Sequence, residues 1–313
     1  MTTTVLMCLS PSETADYRDL IAPACREVGV EARAVTVPDN PEDVEFVVAS
    51  PAGELPDFSA LPNLKAVLSI WAGVEKFIGN PQLAGVPLCR MVDIGLTEAM
   101  REYVTGHVMR YHLGMDAHFE GQDGVWRNDV LPPFASSRSV GILGMGALGS
   151  ACAEQLLGIG FRVHGWSRRT ANVPGVTCHS GPEGLRETLE ASEILVTLLP
   201  DTPSTENTLN AETLAWLPKG AMIINPGRGP LIDDEALLAA LDSGQVGHAT
   251  LDVFRQEPLP VDHPYWAHPK VTVTPHIAAA TRPETAVKTL AENIRRGLAG
   301  EELLHLVDLS AGY

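Results

Sequence analysis

Three glycines spaced Gly144-x-Gly146-x-x-Gly149 follow the apolar run Ser139 to Leu143 and precede a helical run from Ser150 to Leu157. A G-x-G-x-x-G pattern by itself is weak, but between a strand and a helix it is the fingerprint of a dinucleotide site. The first glycine permits a tight turn, the second lets backbone approach a pyrophosphate, and the third lets helix and strand pack closely. The helix N-terminus then offers unpaired N–H groups and a positive dipole end to the phosphates. Met145, Ala147 and Leu148 fill the intervening positions and belong to the same expected contact surface. About 20 residues on, a site for NAD usually places an acid against the ribose hydroxyls. Here the run Arg162 to Trp166 ends in Ser167-Arg168-Arg169 instead. A serine removes the carboxylate that would repel a 2′-phosphate, and two arginines can grip one. NADP(H) is therefore the expected cofactor, with a solvated basic turn as the plain alternative.

Three further segments each set a chemically distinct side chain just past an apolar run. They are Asn225-Pro226-Gly227-Arg228-Gly229, Leu251-Asp252-Val253-Phe254-Arg255-Gln256-Glu257-Pro258 and Thr274-Pro275-His276-Ile277-Ala278. That is the edge at which open α/β sheets bind their ligands. An isolated arginine or histidine in such a place is usually solvated or structural; three in succession behind a dinucleotide fingerprint point to one site.

In order and spacing these segments resemble the D-2-hydroxyacid dehydrogenase family over essentially the whole chain. Trp166-Ser167-Arg168, Met91-Val92-Asp93, Glu102-Tyr103-Val104 and the run Thr274 to Pro283 resemble its bacterial glyoxylate/hydroxypyruvate reductase branch. The resemblance implies an enzyme that reduces small 2-keto acids such as glyoxylate and hydroxypyruvate. Arg228 matches the arginine that holds the substrate carboxylate, Glu257 the acid that pairs with the catalytic histidine, and His276 that histidine. Asp252 matches an acid near the nicotinamide carboxamide, and Leu199-Pro200 a loop that lines the cofactor. Ala72-Gly73-Val74 resembles the loop whose backbone N–H groups take the substrate carboxylate. Trp71 stands before it where the branch usually has a small residue, and Glu75 follows where aspartate is commoner, so the substrate could be a larger aliphatic or aromatic 2-keto acid. A non-catalytic nicotinamide-sensing protein is the alternative from another class, disfavoured by intact Arg228, Glu257 and His276. The chemistry asks for the same set. Hydride transfer to a 2-keto acid leaves charge on the carbonyl oxygen, so a proton donor must stand beside it. An imidazolium suits that task near neutral pH, and an adjacent carboxylate favours its charged form. A guanidinium fits a planar carboxylate and stabilises the developing oxyanion.

The elements that must position these groups follow from hydrophobic periodicity. Before residue 97, β-rich runs at Val5 to Leu9, Val44 to Ala49, Lys65 to Ile70 and Pro87 to Val92 alternate with helical stretches, one of which shows Tyr17, Leu20, Ile21 and Ala24 on one face. From Thr97 a long helix is expected, with Met100, Tyr103, Val104, His107, Val108 and Tyr111 on one side, ending near Glu120. It could be a spine, a dimerisation arm or an ordinary core helix. A second α/β block has β-rich runs at Ser139 to Leu143, Arg162 to Trp166, Ile194 to Leu198, Met222 to Asn225, His248 to Asp252 and Val271 to Thr274. The last helix opens with Thr281-x-x-Glu284, a candidate capping box, and shows Val287, Leu290, Ile294 and Leu298 on one side. The expected fold is α/β, a doubly wound Rossmann cofactor domain (98–285) inserted in a smaller flavodoxin-like α/β substrate domain (1–97), to which a C-terminal helix (286–313) returns.

Composition narrows the partners. A formal charge of −17 argues against nucleic acid and anionic membranes, both of which need clustered Lys and Arg. No apolar run approaches a bilayer span and the N-terminus lacks the pattern of a signal peptide. Five scattered cysteines without a C-x-x-C pair read as free thiols in a reducing cytoplasm. No histidine or cysteine spacing suggests a metal site. A homodimer with a small-molecule 2-keto acid substrate is the expected assembly.

Overall fold

A computed structural model describes residues 2–83, 85–128 and 131–309. In chain order the elements are β1 (Thr3–Cys8), α1 (Pro11–Glu27), β2 (Ala32–Val35), β3 (Val44–Ala49), β4 (Ala66–Ser69), β5 (Leu88–Cys89), α2 (Ile94–His112), α3 (Met115–Glu120), β6 (Ser139–Leu143), α4 (Ala147–Ile159), β7 (Arg162–Trp166), β8 (Thr177–His179), α5 (Gly181–Ala191), β9 (Ile194–Thr197), α6 (Ala211–Ala215), β10 (Ala221–Asn225), α7 (Asp234–Ser243), β11 (Val246–Leu251), β12 (Val271–Val273) and α8 (Pro283–Ala299). Contacts divide them into two units, residues 1–96 with 280–313, and residues 97–279. The chain thus re-enters the first unit before α8, rather than within its first turn at 285/286.

The first unit is a five-stranded sheet in the order β2-β1-β3-β4-β5, with every pairing parallel. This is the flavodoxin-like order, whose switch point lies between β1 and β3. β1, β3 and β4 are buried on both faces, as parallel strands under helices must be. One face packs Tyr17, Ile21 and Ala24 of α1 together with Ala286, Val287, Leu290, Ala291 and Ile294 of α8. Burying that stripe is what α8 contributes. Its expected capping box does not form. Pro283 occupies the first turn and makes Arg282 the N-cap, with no side-chain cap bond, so Thr281 falls one residue too early.

The second unit is a seven-stranded sheet, β12-β11-β10-β9-β6-β7-β8, again parallel throughout. Counted from β6, the order is 3-2-1-4-5-6 with one strand added, the Rossmann arrangement, and its switch point lies between β6 and β9. Met100, Val104, Val108 and Tyr111 of α2 pack with Val140, Ile142 and Ile194 on one side of this sheet. That fits the core-helix reading of the stripe. The helical pattern is interrupted at Gly114, which takes a left-handed φ of 63° and separates α2 from α3. Four of the cysteines are buried, and burial pushes the thiols of Cys8 and Cys89 up to about 11 and about 12, which leaves them unsuited to act as nucleophiles. Among the described residues no helix is long and apolar enough to cross a membrane.

Candidate active site

The glycine turn sits at the switch point of the second sheet. Gly144 follows β6 with φ 107°, and its N–H donates to Trp166 O at 2.8 Å. A Cβ there would lie 2.5 Å from Leu198 O, and one on Gly149 would lie 1.9 Å from Gly144 O, so both positions require glycine. Gly146 differs: nothing lies within 4 Å of its absent Cβ, and it is the N-cap of α4 without any side-chain cap. An open, uncapped helix N-terminus with Gly146 and Ala147 exposed is the cradle a pyrophosphate needs. Met145 is buried, and Gly165 on β7 makes room for it: a Cβ at Gly165 would meet Met145 Sδ at 2.5 Å. Leu148 is half-buried, Leu199 buried and Pro200 half-buried just past β9. Ser167 follows β7, its hydroxyl donating to Arg169 O at 2.6 Å, and Arg168 and Arg169 are exposed beyond it. With no acid in the turn from Ser167 to Thr170, a 2′-phosphate meets no like charge from it. The residues present fit NADP(H).

On the other side of the switch point, β10, β11 and β12 deliver Arg228, Glu257 and His276. Asn225, 1% exposed at the end of β10, shapes the first turn. Its Oδ1 accepts from Thr197 Oγ1 at 2.6 Å and Gly227 N at 3.2 Å, while its Nδ2 donates to Arg228 O at 3.0 Å. Arg228 is half-buried, and its Nη1 donates to Gly227 O at 2.7 Å.

His276 and Glu257 meet directly, Nδ1 to Oε2 at 2.7 Å. The other carboxylate oxygen, Oε1, accepts from Phe254 N at 2.9 Å, so the acid is fixed at both ends. With Nδ1 engaged, Nε2 is the ring nitrogen left to face a substrate. His276 has φ 55°, a left-handed conformation uncommon for a residue with a Cβ. The strain is met by Asp252, 1% exposed at the end of β11. Asp252 O accepts from His276 N at 2.8 Å. Its Oδ1 accepts from Thr274 Oγ1 at 2.6 Å and Ile277 N at 2.9 Å, and Oδ2 from Ala278 N at 2.9 Å. Thr274 spends its one hydroxyl proton on Asp252, so Tyr103 of α2 must donate to Thr274 Oγ1, at 2.7 Å. Burial raises the Tyr103 phenol well above its ordinary range, which keeps that donor protonated. Asp252 therefore ties down the histidine loop with both oxygens.

In the first unit, Trp71-Ala72-Gly73-Val74 follows β4 at the C-terminal edge of its sheet. Trp71 N and O are both held by the Ser69 hydroxyl at 3.0 Å. The indole is 42% exposed, and its Nε1 donates to Glu13 Oε1 at 3.0 Å. Glu13 also accepts from Ser10 N, Ser10 Oγ and Ser50 Oγ on Oε2. Burial works against its charge, but the bonds from Ser50, Ser10 and Trp71 together hold its carboxyl below the usual range. Val74 is buried, while Ala72 and Gly73 are half-buried. Sequence reasoning missed Glu13 and Gly165, and it named Asn225 and Tyr103 only within motifs, without their roles; for Glu13 the capping pattern Ser10-x-x-Glu13 offered a signal. Among the described residues no group of three His, Cys, Asp or Glu side chains is arranged for a metal ion.

Comparison with known proteins identifies the family. Residues 106–278 match the family model for the D-isomer specific 2-hydroxyacid dehydrogenase NAD binding domain. Glyoxylate/hydroxypyruvate reductase A of Yersinia enterocolitica is 42% identical over 258 residues, 80% of this chain and 82% of that protein. The Serratia proteamaculans protein of the same name is 39% identical, covering 88% of this chain and 89% of its own. A D-isomer specific 2-hydroxyacid dehydrogenase from Xanthobacter autotrophicus, solved with NADPH and MES, superposes with a TM-score of 0.90 at 39% identity, over 100% of both chains. An NADPH-dependent glyoxylate/hydroxypyruvate reductase from Sinorhizobium meliloti, solved with NADP and sulfate, gives a TM-score of 0.82 at 34% identity, over 99% of this chain and 100% of that one.

Proposed function

Since the chain belongs to the D-isomer specific 2-hydroxyacid dehydrogenase family, we propose that it reduces glyoxylate and hydroxypyruvate to their 2-hydroxy acids with NADPH. It is an NADP-dependent 2-hydroxyacid dehydrogenase of the glyoxylate/hydroxypyruvate reductase branch. The observation that carries the reaction is the 2.7 Å pair between His276 Nδ1 and Glu257. His276 Nε2 gives a proton to the substrate carbonyl oxygen as charge develops there, and Glu257 orients the ring and stabilises its charged form. Arg228 holds the substrate carboxylate and stabilises the forming oxyanion. Bound NADPH supplies the hydride. The turn Gly144 to Gly149 receives its pyrophosphate, Ser167, Arg168 and Arg169 its 2′-phosphate, and Leu199 and Pro200 line it. Asp252 stands near the nicotinamide carboxamide and anchors the histidine loop as well.

Ala72, Gly73 and Val74 present backbone N–H groups to the substrate carboxylate, and Trp71 sets the size of acid they accept. An indole fastened to Glu13 supports small substrates. The chain works as a cytoplasmic homodimer. Support for a second copy comes from Phe119, Val125, Trp126, Leu131 and Phe134, all exposed within one short stretch.

Steady-state kinetics on glyoxylate, hydroxypyruvate, pyruvate and phenylpyruvate with NADPH and NADH test the assignment. Glyoxylate and hydroxypyruvate with NADPH should give the highest kcat/KM, and first rank for phenylpyruvate would overturn the substrate. Trp71→Gly should raise kcat/KM for the larger acids relative to glyoxylate, with NADPH affinity unchanged. An unaltered ranking would remove Trp71 from substrate choice.

A further inference from the structure

Glu257 and Arg228 lie in turns without strand or helix of their own, yet the proposed chemistry needs them at a fixed separation. Between them stands an arginine that neither composition nor motif singled out. Arg255, two residues before Glu257, has its side chain about one-third exposed. Its Nε and Nη2 both donate to Ile232 O, at 3.2 and 2.7 Å. Nη2 also reaches Asn207 Oδ1 and, at 3.3 Å, Pro230 O. Nη1 meets Glu206 Oε1 at 3.4 Å, and Asp234 Oδ2 lies 3.9 Å from Nε. One planar fork of five donors thus ties two segments, 206–207 and 230–234, to the Glu257 turn.

Each segment leads to the site. Pro230 to Ile232 follows Arg228 directly. Glu206-Asn207 ends the loop that begins at Leu199-Pro200, and Asn207 N itself donates to Pro230 O at 2.9 Å. The two turns also press backbone to backbone: a Cβ on Gly229 would lie 2.0 Å from Phe254 C. An open pocket of about 190 Å³ adjoins this turn, lined by Arg255 itself with Asp234, Phe254, Gln256, Leu259 and His263. The turn therefore has room to shift if the guanidinium lets go.

We propose that Arg255 is a positioning residue. It locks the Glu257 turn to the Arg228 turn, and through Glu257 it sets the ring of His276. It touches no substrate, and its role rests on the reduction proposed above.

Arg255→Met keeps much of the stem and removes the donors. It should lower kcat for glyoxylate ~10- to 100-fold, the scale of a sub-ångström to one-ångström misplacement. NADPH Kd, read by fluorescence titration, should stay within about twofold, because the cofactor turn keeps its own anchors. Arg255→Lys should recover part of the loss. In a Glu257→Gln background the same Arg255→Met change should cost less than about threefold, because the path it acts through is already cut. An equal loss in both backgrounds, or unchanged kcat with only a lower melting temperature, would reduce Arg255 to a structural tie. If Arg255→Met does not fold, Asn207→Gly serves instead. It removes one acceptor and tolerates the φ of 51°, and it should show the same dependence on Glu257. A wild type that turns over no 2-keto acid sinks the functional reading and this role together. An active wild type with an indifferent Arg255→Met sinks only the role of Arg255.

Discussion

Replacing Asp252 by Asn changes one oxygen to an NH2 group and leaves the shape almost intact, so it isolates what the carboxylate does. Asp252 accepts from Thr274 Oγ1, Ile277 N and Ala278 N and is 1% exposed. An amide has one oxygen. If it takes the place of Oδ1, Thr274 and Ile277 keep their acceptor, and the new NH2 faces Ala278 N–H, donor against donor. If it takes the place of Oδ2, the clash moves to Ile277. Either way one backbone N–H loses a charged acceptor where water does not reach, at a cost of about 2–4 kcal/mol. The loop from Thr274 to Ala278 can relieve that cost only by opening, and His276 rides on it with φ 55°. Hydrogen exchange read on a peptide spanning this loop should therefore accelerate ~30- to 800-fold, since each 1.4 kcal/mol is a factor of ten. Displacement of the histidine should lower kcat by up to ~10²-fold, with smaller change in NADPH Kd. Exchange and kcat both within threefold of wild type would mean that the loop is held by something other than this carboxylate.

His276→Ala should lower kcat for reduction by ~10²–10⁴-fold with NADPH binding nearly intact, measured by single-turnover absorbance; an undiminished rate takes His276 out of the mechanism. The double change Ser167→Asp, Arg168→Ala should move the NADPH/NADH ratio of kcat/KM toward NADH by one to two decades, roughly the 1.5–3 kcal/mol of a charge-assisted pair, and leave the keto-acid ranking alone. A ratio that does not move would leave the basic turn merely solvated. Acid should destabilise the fold through its buried histidines. Burial, then the charge of Arg110, pushes His248 down to about 4, so the unfolded chain binds a proton the folded one refuses. That contribution is complete above about pH 6.5, the unfolded value, and is lost as pH falls from there to about 4. After allowing for solvent screening of a half-buried ring it is on the order of 1 kcal/mol, or ~2–4 °C in Tm. His248→Gln should flatten the melting profile across that window, and an unchanged slope would assign the acid sensitivity to other groups.

Legibility in the sequence followed burial. Strands with both faces covered, such as Val44–Ala49 and Ser139–Leu143, appear in the sequence as apolar runs with the observed boundaries. The edge strands β2 and β8 do not: Ala32–Val35 contains Arg33, and Thr177–His179 is three partly exposed residues with no periodicity to find. At the site, residues past strand ends such as Arg228 and His276 stand out in the sequence because motif and position coincide. What spacing cannot reveal is where a side chain spends its hydrogen bonds. Arg255 is an unremarkable charge in a proline-flanked loop until the carbonyls of 230 and 232 come into its reach. The family resemblance sets Asp252 beside the nicotinamide but gives no hint that its oxygens accept from Thr274, Ile277 and Ala278 of the histidine loop.

The sharing of one core between the two ends of the chain also sets an order of events on the ribosome. Residues 97–279 hold everything their own sheet requires, so they can close as soon as they emerge. The first sheet is made earlier but must wait for Ala286 to Ile294, because those residues cover the face on which Tyr17 and Ile21 lie. At ~5–20 residues per second, nearly two hundred intervening residues mean a delay on the order of ten to forty seconds. Through that interval the apolar face of α1 and an uncovered parallel sheet are open to chaperones and to other nascent copies. Loss of the final helix should therefore leave a chain that still binds cofactor but has a permanently unfinished N-terminal half.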